Sequence, residues 1–157
     1  VLSLTGSLRA TTIHTVMDIN MNQRVLSIEQ MNHLKELGVD ISGASMAWQS
    51  GACMKDRGEW LLYVYGNCNL SYRYVEKTFT LQDMLTIMPK YLKIKTEKYC
   101  TPVDCLLMID VSNDFVYYEY RAWGEYECAK SAGGANLLES AYNMLCWLAE
   151  NDYLNKK

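Results

Sequence analysis

The side chains best suited to chemistry in this 157-residue sequence are two histidines and six cysteines, and their spacing supports no familiar reaction centre. A nucleophilic thiol needs an imidazole within hydrogen-bond reach and a further group to orient that imidazole. His14 stands in an atypical N-terminal stretch, and His33, three residues after Gln30 and beside polar Asn32, is expected to face solvent. Neither is accompanied by a local Cys–His signature. Cys53, Cys68, Cys100, Cys105, Cys128 and Cys146 form no CxxC pair, and Cys100 and Cys105 are five apart across Pro102, unlike the paired spacing of structural zinc sites. Cys105 sits in the apolar run Cys105-Leu106-Leu107-Met108-Ile109 and Cys146 in a helical pattern, where a thiol serves as a small hydrophobe. Reduced thiols in a cytoplasm are therefore expected.

The carboxylates are plentiful but scattered. Asp110 and Asp114 bracket a turn, and Glu125 and Glu127 fall in a segment read as a loop. Paired-acid catalysis would require one acid with a raised pKa in an apolar pocket, and solvated charges are the plainer reading. Ala132-Gly133-Gly134-Ala135-Asn136 runs into a helix, so backbone amides and the positive end of the helix dipole could receive an anion at Gly133, Gly134 and Asn136. The stretch lacks the Lys-Ser/Thr of a P-loop and follows no strand with a dinucleotide fingerprint, so a flexible loop is the competing reading. No residue is singled out as catalytic, metal-ligating or cofactor-binding, and no cofactor is expected.

Three helices would have to position these groups, and each announces its start. Leu26-Ser27-Ile28-Glu29-Gln30-Met31 carries a Ser N-cap, a Gln three residues later and a Leu26/Met31 staple; Ile28, Met31, Leu34 and Leu37 follow at helical spacing to Gly38. Phe79-Thr80-Leu81-Gln82-Asp83-Met84 repeats the device, with Pro89 preventing continuation. Asn136 and Glu139 open a third helix through Leu138, Ala141, Leu145 and Leu148 to about Glu150, its apolar face broadened by Met144 and Trp147.

Between the helices lie extended segments: Ala44 to Gln49; Glu59 to Tyr65 and Leu70 to Glu76 as two arms of a hairpin; Tyr91 to Thr96; and Asp104 to Asp110 with Phe115 to Ala122 as a second hairpin. The order α-β-β-β-α-β-β-β-α predicts an α+β fold, a mainly antiparallel sheet of about five or six strands with three helices largely on one face. Val1 to Asn20 lacks a continuous hydrophobic segment of secretory type and is expected to be a poorly ordered tail or extension, leaving one domain over 21–157. The β-branched run Thr11 to Val16 supports the opposing view, an edge strand.

Composition narrows the function. With 15 basic and 18 acidic residues the net charge is −3, which argues against general phosphate-backbone binding. Nucleic acid is an unfavoured partner, since the basic group Lys90, Lys93, Lys95 and Lys98 is interrupted by Glu97. No apolar run approaches the roughly 20 residues of a membrane helix. Twelve tyrosines and four tryptophans exceed what one covered sheet face consumes. Tyrosine is common in strands, which explains many of them. The sharper reading is an open sheet face around Tyr63, Tyr65, Tyr72, Tyr74 and Tyr117 that meets a second copy or another protein, because amphipathic rings dominate interface hot spots.

The segments Val25 to Met31 through Leu37-Gly38-Val39-Asp40, Ala44 to Trp48, Phe79 to Met84 with Pro89-Lys90, and Ala141 to Leu148 together resemble uncharacterised small proteins of Bacteroides-type gut bacteria, encoded near phage or mobile-element genes. The resemblance spans about Arg24 to Leu154 and rests on caps, staples and core positions. It transfers no activity and no catalytic residue, and implies an intracellular accessory protein. The sequence thus predicts a cytoplasmic, non-catalytic interaction protein that self-associates or binds a protein partner. The alternative is a small-ligand or anion-binding module, or an enzyme, with its pocket between sheet and C-terminal helix.

Overall fold

The computed structural model describes residues 24–50, 60–65 and 74–154. Helix α1 (Ile28–Glu36) begins as the sequence requires: the Ser27 side chain accepts from Gln30 N at 3.2 Å and Gln30 Oε1 accepts from Ser27 N at 2.9 Å. Met31 and Leu34 form its buried stripe, and Gly38 turns the chain at a φ of +78° so that Val39 N can donate to Leu34 O. Helix α2 (Leu81–Ile87) carries the equivalent Thr80/Asp83 box and stops where Met88 becomes extended before Pro89. Helix α3 (Leu137–Glu150) is capped by Asn136, whose side chain accepts from Glu139 N at 3.0 Å.

The α+β class, the antiparallel pairing and the helix order are those expected, and the strands divide into two sheets. Strands β1 (Met46–Ser50), β2 (Leu61–Val64) and β3 (Tyr74–Thr78) form a three-stranded sheet in the order β2-β1-β3. The expected hairpin between the second and third extended segments is therefore corrected: each pairs with β1, Met46 lying between Val64 and Thr78. Ala47, Trp48, Gln49 and Ser50 are all buried, and a strand buried on both sides belongs in the centre.

Strands β4 (Tyr91–Ile94), β5 (Val103–Asp110), β6 (Phe115–Ala122) and β7 (Glu125–Gly133) form an antiparallel meander. β7 covers the stretch read from sequence as a loop around Glu125 and Glu127 and as a flexible lead into α3. A two-residue turn, Trp123 and Gly124 at φ of 53° and 93°, connects it to β6. Both residues take the positive φ that a tight hairpin demands, with Trp where Asn or Asp usually stands. The segment's polar composition hid the strand, since an edge strand buries little.

One face of this meander, bearing Cys105, Val116, Tyr118, Tyr120 and Ala132, packs into a core with Leu138, Ala141, Leu145 and Leu148 of α3. Tyr118 is fully buried yet satisfied, its hydroxyl donating to Pro89 O at 2.7 Å. The same core continues to Leu26, Met31, Leu34 and Phe79, which leads from β3 into α2, while the buried Ala47 and Trp48 of β1 lie outside it. Leu26 O ties the smaller sheet to the approach of α1, accepting from Trp48 Nε1 and Thr78 Oγ1. No described helix is long and apolar enough to cross a membrane.

Candidate functional site

The most distinctive surface is the outer face of the β4–β7 sheet. Side chains alternate along a strand, so the register assigns this face directly. Tyr91 opposes Leu106, which opposes Glu119, which opposes Cys128. A second row runs Met108, Tyr117, Ser131, and a third Asp110, Phe115, Gly133. At the other end Lys93 lies opposite Asp104 and Arg121 opposite Tyr126. Exposure is 78% for Tyr91, 69% for Tyr126, 43% for Phe115 and 40% for Leu106, with Trp123 at the β6–β7 turn 93% exposed. Charges stand at both ends of the face and, at Glu119, within it. Lys93 and Asp104 make an open ion pair of 3.8 Å, and the Arg121 guanidinium lies 5.9 Å from the centre of the Tyr126 ring.

The tyrosines named from sequence do not share one surface. Tyr117 belongs to the outer face just described, half-buried, and its hydroxyl is pushed up by burial and by the Glu119 charge. Tyr63, half-buried, and Tyr65, exposed, lie on one side of the three-stranded sheet, where Lys77 Nζ stands 4.3 Å over the Tyr65 ring. Tyr74, also exposed, opposes Ser50 and lies on the reverse side of that sheet. Tyr72 lies outside the described residues. Alternation within each strand was legible, but the split between two sheets was not. Leu106 and Phe115 were missed because their strands show apolar residues at both parities, and only the position of α3 decides which parity is covered; Tyr91 was passed over on a strand whose same side carries lysines, and Tyr126 because its segment was read as a loop.

The glycine-rich approach to α3 is already occupied by the chain itself. Glu139 Oε2 accepts from Ala135 N at 2.7 Å, and Asn136 Oδ1 accepts from Glu139 N. A carboxylate at the positive end of α3 fills the place an anion would take and repels a second one. Gly133 lies in β7 beneath the Phe115 ring, where a Cβ would come 2.6 Å from Phe115 Cε1. At Gly134 a Cβ would come 2.7 Å from Glu139 Cβ, so both glycines serve close packing. An open groove of about 580 Å³ lies beside them, lined by Arg24, Thr80, Gln82, Asp114, Asn136 and Leu138 among others.

Tertiary structure also joins groups far apart in sequence. Tyr142 Oη and His33 Nδ1 share a hydrogen bond of 2.7 Å between α3 and α1, and Cys146 Sγ lies 3.8 Å from the same nitrogen. His33 is exposed, as its neighbours suggested, although not unpartnered. Burial pushes the Cys146 thiol up and Tyr142 up to about 12, so both remain protonated near neutrality. A protonated, buried thiol is a poor nucleophile. The cluster acts as a polar clasp between helices, and no local pattern could have disclosed a contact spanning more than a hundred residues.

No family model matches the chain, and neither a curated protein nor a solved structure matches it. Function therefore rests on the geometry of its own surfaces. Among the described residues, no three His, Cys, Asp or Glu side chains converge to hold a metal ion. The described cysteines Cys100, Cys105, Cys128 and Cys146 are free thiols.

Proposed function

We propose that this chain is a non-catalytic interaction protein of the cytoplasm that docks against protein through the outer face of the β4–β7 sheet. The observation that carries the reading is the run of exposed large side chains Tyr91, Leu106, Phe115 and Tyr126 across four adjacent strands. Scattered exposed hydrophobes need no explanation, but four large exposed side chains on one face of a single sheet, interspersed with charges, offer a surface that a protein partner can use. Free thiols agree with a reducing compartment. An accessory role beside phage or mobile-element genes is the setting that the resemblance implies.

The test is affinity purification from the native cell with the wild-type chain and with Leu106→Asp. A stoichiometric protein, whether a second copy or a different chain, should accompany the wild type and be lost from the variant. Equal recovery with both chains, or no stoichiometric partner with either, overturns the reading.

A further inference from the structure

We infer that α1 and α3 together hold one divalent cation of the zinc class, bound by His33 Nδ1, Cys146 Sγ and the Glu150 carboxylate, with water completing the shell. The inference is independent of the docking reading and uses none of the outer face. Imidazole nitrogen, thiolate sulfur and carboxylate oxygen are the donors zinc takes, and a tetrahedral site with three protein ligands leaves its fourth place to water. Zinc bonds of about 2.0–2.1 Å to nitrogen and about 2.3 Å to sulfur, at an angle of roughly 110–120°, set the two donors about 3.6–3.8 Å apart. His33 Nδ1 and Cys146 Sγ stand 3.8 Å apart. The two strongest donors therefore already hold the separation that a bridging ion requires, across a contact between helices.

The third ligand comes from α3 itself. Cys146 and Glu150 are one helical turn apart, which sets them on the same face. Glu150 is exposed, and its charge already acts on the Cys146 thiol. As the side chains stand it does not converge with the other two, and rotation of this exposed side chain at the helix end brings it round. Tyr142, one turn before Cys146, supplies the supporting contact. Burial disfavours the Cys146 thiolate, and the hydrogen bond with Tyr142 favours it. The Tyr142 hydroxyl lies 2.7 Å from His33 Nδ1; a bound ion takes that nitrogen, and the hydroxyl then serves the sulfur alone. The thiol proton leaves to solvent. Exposed His33 gives the ion its path of entry, while Cys146, 8% exposed, keeps the metal–sulfur bond sheltered. One ligand must swing in and another must lose a proton inside the protein, so the affinity is on the order of micromolar, weaker than a closed site of four preset ligands.

Calorimetric titration of the reduced full chain with zinc, and absorption spectra with cobalt(II) in its place, test this. The wild type should bind zinc at one site, melt at a higher temperature when loaded, and show a sulfur-to-cobalt charge-transfer band. His33→Gln and Cys146→Ser should each weaken zinc by roughly tenfold or more, and Glu150→Gln should weaken it several-fold. The charge-transfer band should vanish in Cys146→Ser and persist in Cys100→Ser and Cys128→Ser, whose thiols are exposed elsewhere. His33 and Glu150 are exposed, so their variants keep the fold whatever Cys146→Ser does to it. Absence of zinc binding overturns the inference, as does a His33→Gln chain that binds as tightly as the wild type. A charge-transfer band that survives in Cys146→Ser overturns it too, because the ion then sits on another thiol.

Discussion

Gly134 is required by close approach rather than by its torsion angles. An added Cβ would meet Glu139 Cβ at 2.7 Å and Ser140 N at 3.0 Å, and the latter is helix backbone that cannot swing aside. Gly134→Ala should therefore destabilise the protein by about 1–3 kcal/mol, read from the urea midpoint. Gly133→Ala should cost less, because its obstacle is the movable rim of the exposed Phe115 ring. The sequence marked both glycines as unusual, but the chemistry suggested for them, anion binding, depends on free amides that Glu139 has already taken in part. At the β5–β6 turn, Asp110 accepts from Ser112 N, Asn113 N and Asn113 Nδ2. These bonds, the Asn113 side chain first, hold its pKa below the ordinary 3.8. A depressed carboxylate supports the fold above its unfolded pKa and loses that support as pH falls through the folded value. The Ser112 and Asn113 amide resonances should accordingly titrate with a midpoint below 3.8, and Asp110→Asn should abolish the transition.

At the scale of elements, the short helix α2 depends on one carboxylate. Asp83 Oδ2 accepts from Thr80 N, Ser45 N and Ser45 Oγ, so it closes the capping box and fastens the approach of β1 to the helix. Thr80→Ala removes one cap bond and should cost about 1 kcal/mol. Asp83→Ala frees all three donors and should cost about 2 kcal/mol, a difference that chemical denaturation of the two variants resolves. The starts of all three helices were legible because a cap is a local device: donor and acceptor lie within four residues of each other. Strand partners were legible only for the β5–β6 hairpin, whose turn is local. β1 sits between β2 and β3, and β7 pairs with β6, because of burial and turn geometry that distant segments impose.

For the whole molecule, one core joins the helices to the inner face of the larger sheet, while the outer face of that sheet stands apart from it. The two sides should respond differently to substitution. Leu148→Ala, within the core, should lower stability by about 2–5 kcal/mol. Leu106→Asp, on the outer face, should leave it within roughly 1 kcal/mol of wild type while weakening association, as paired thermal-melt and sedimentation measurements would show. By itself the sequence determined the α+β class, the helix limits and the turn at Asp110, since propensity, capping and alternation act over a few neighbouring residues. Tertiary structure alone decided that the strands form two sheets, that His33 meets Tyr142, and that Tyr91, Leu106, Phe115 and Tyr126 remain uncovered. In strands apolar on both sides, alternation names two candidate faces equally well, and only the docking of α3 against one of them assigns the other to solvent.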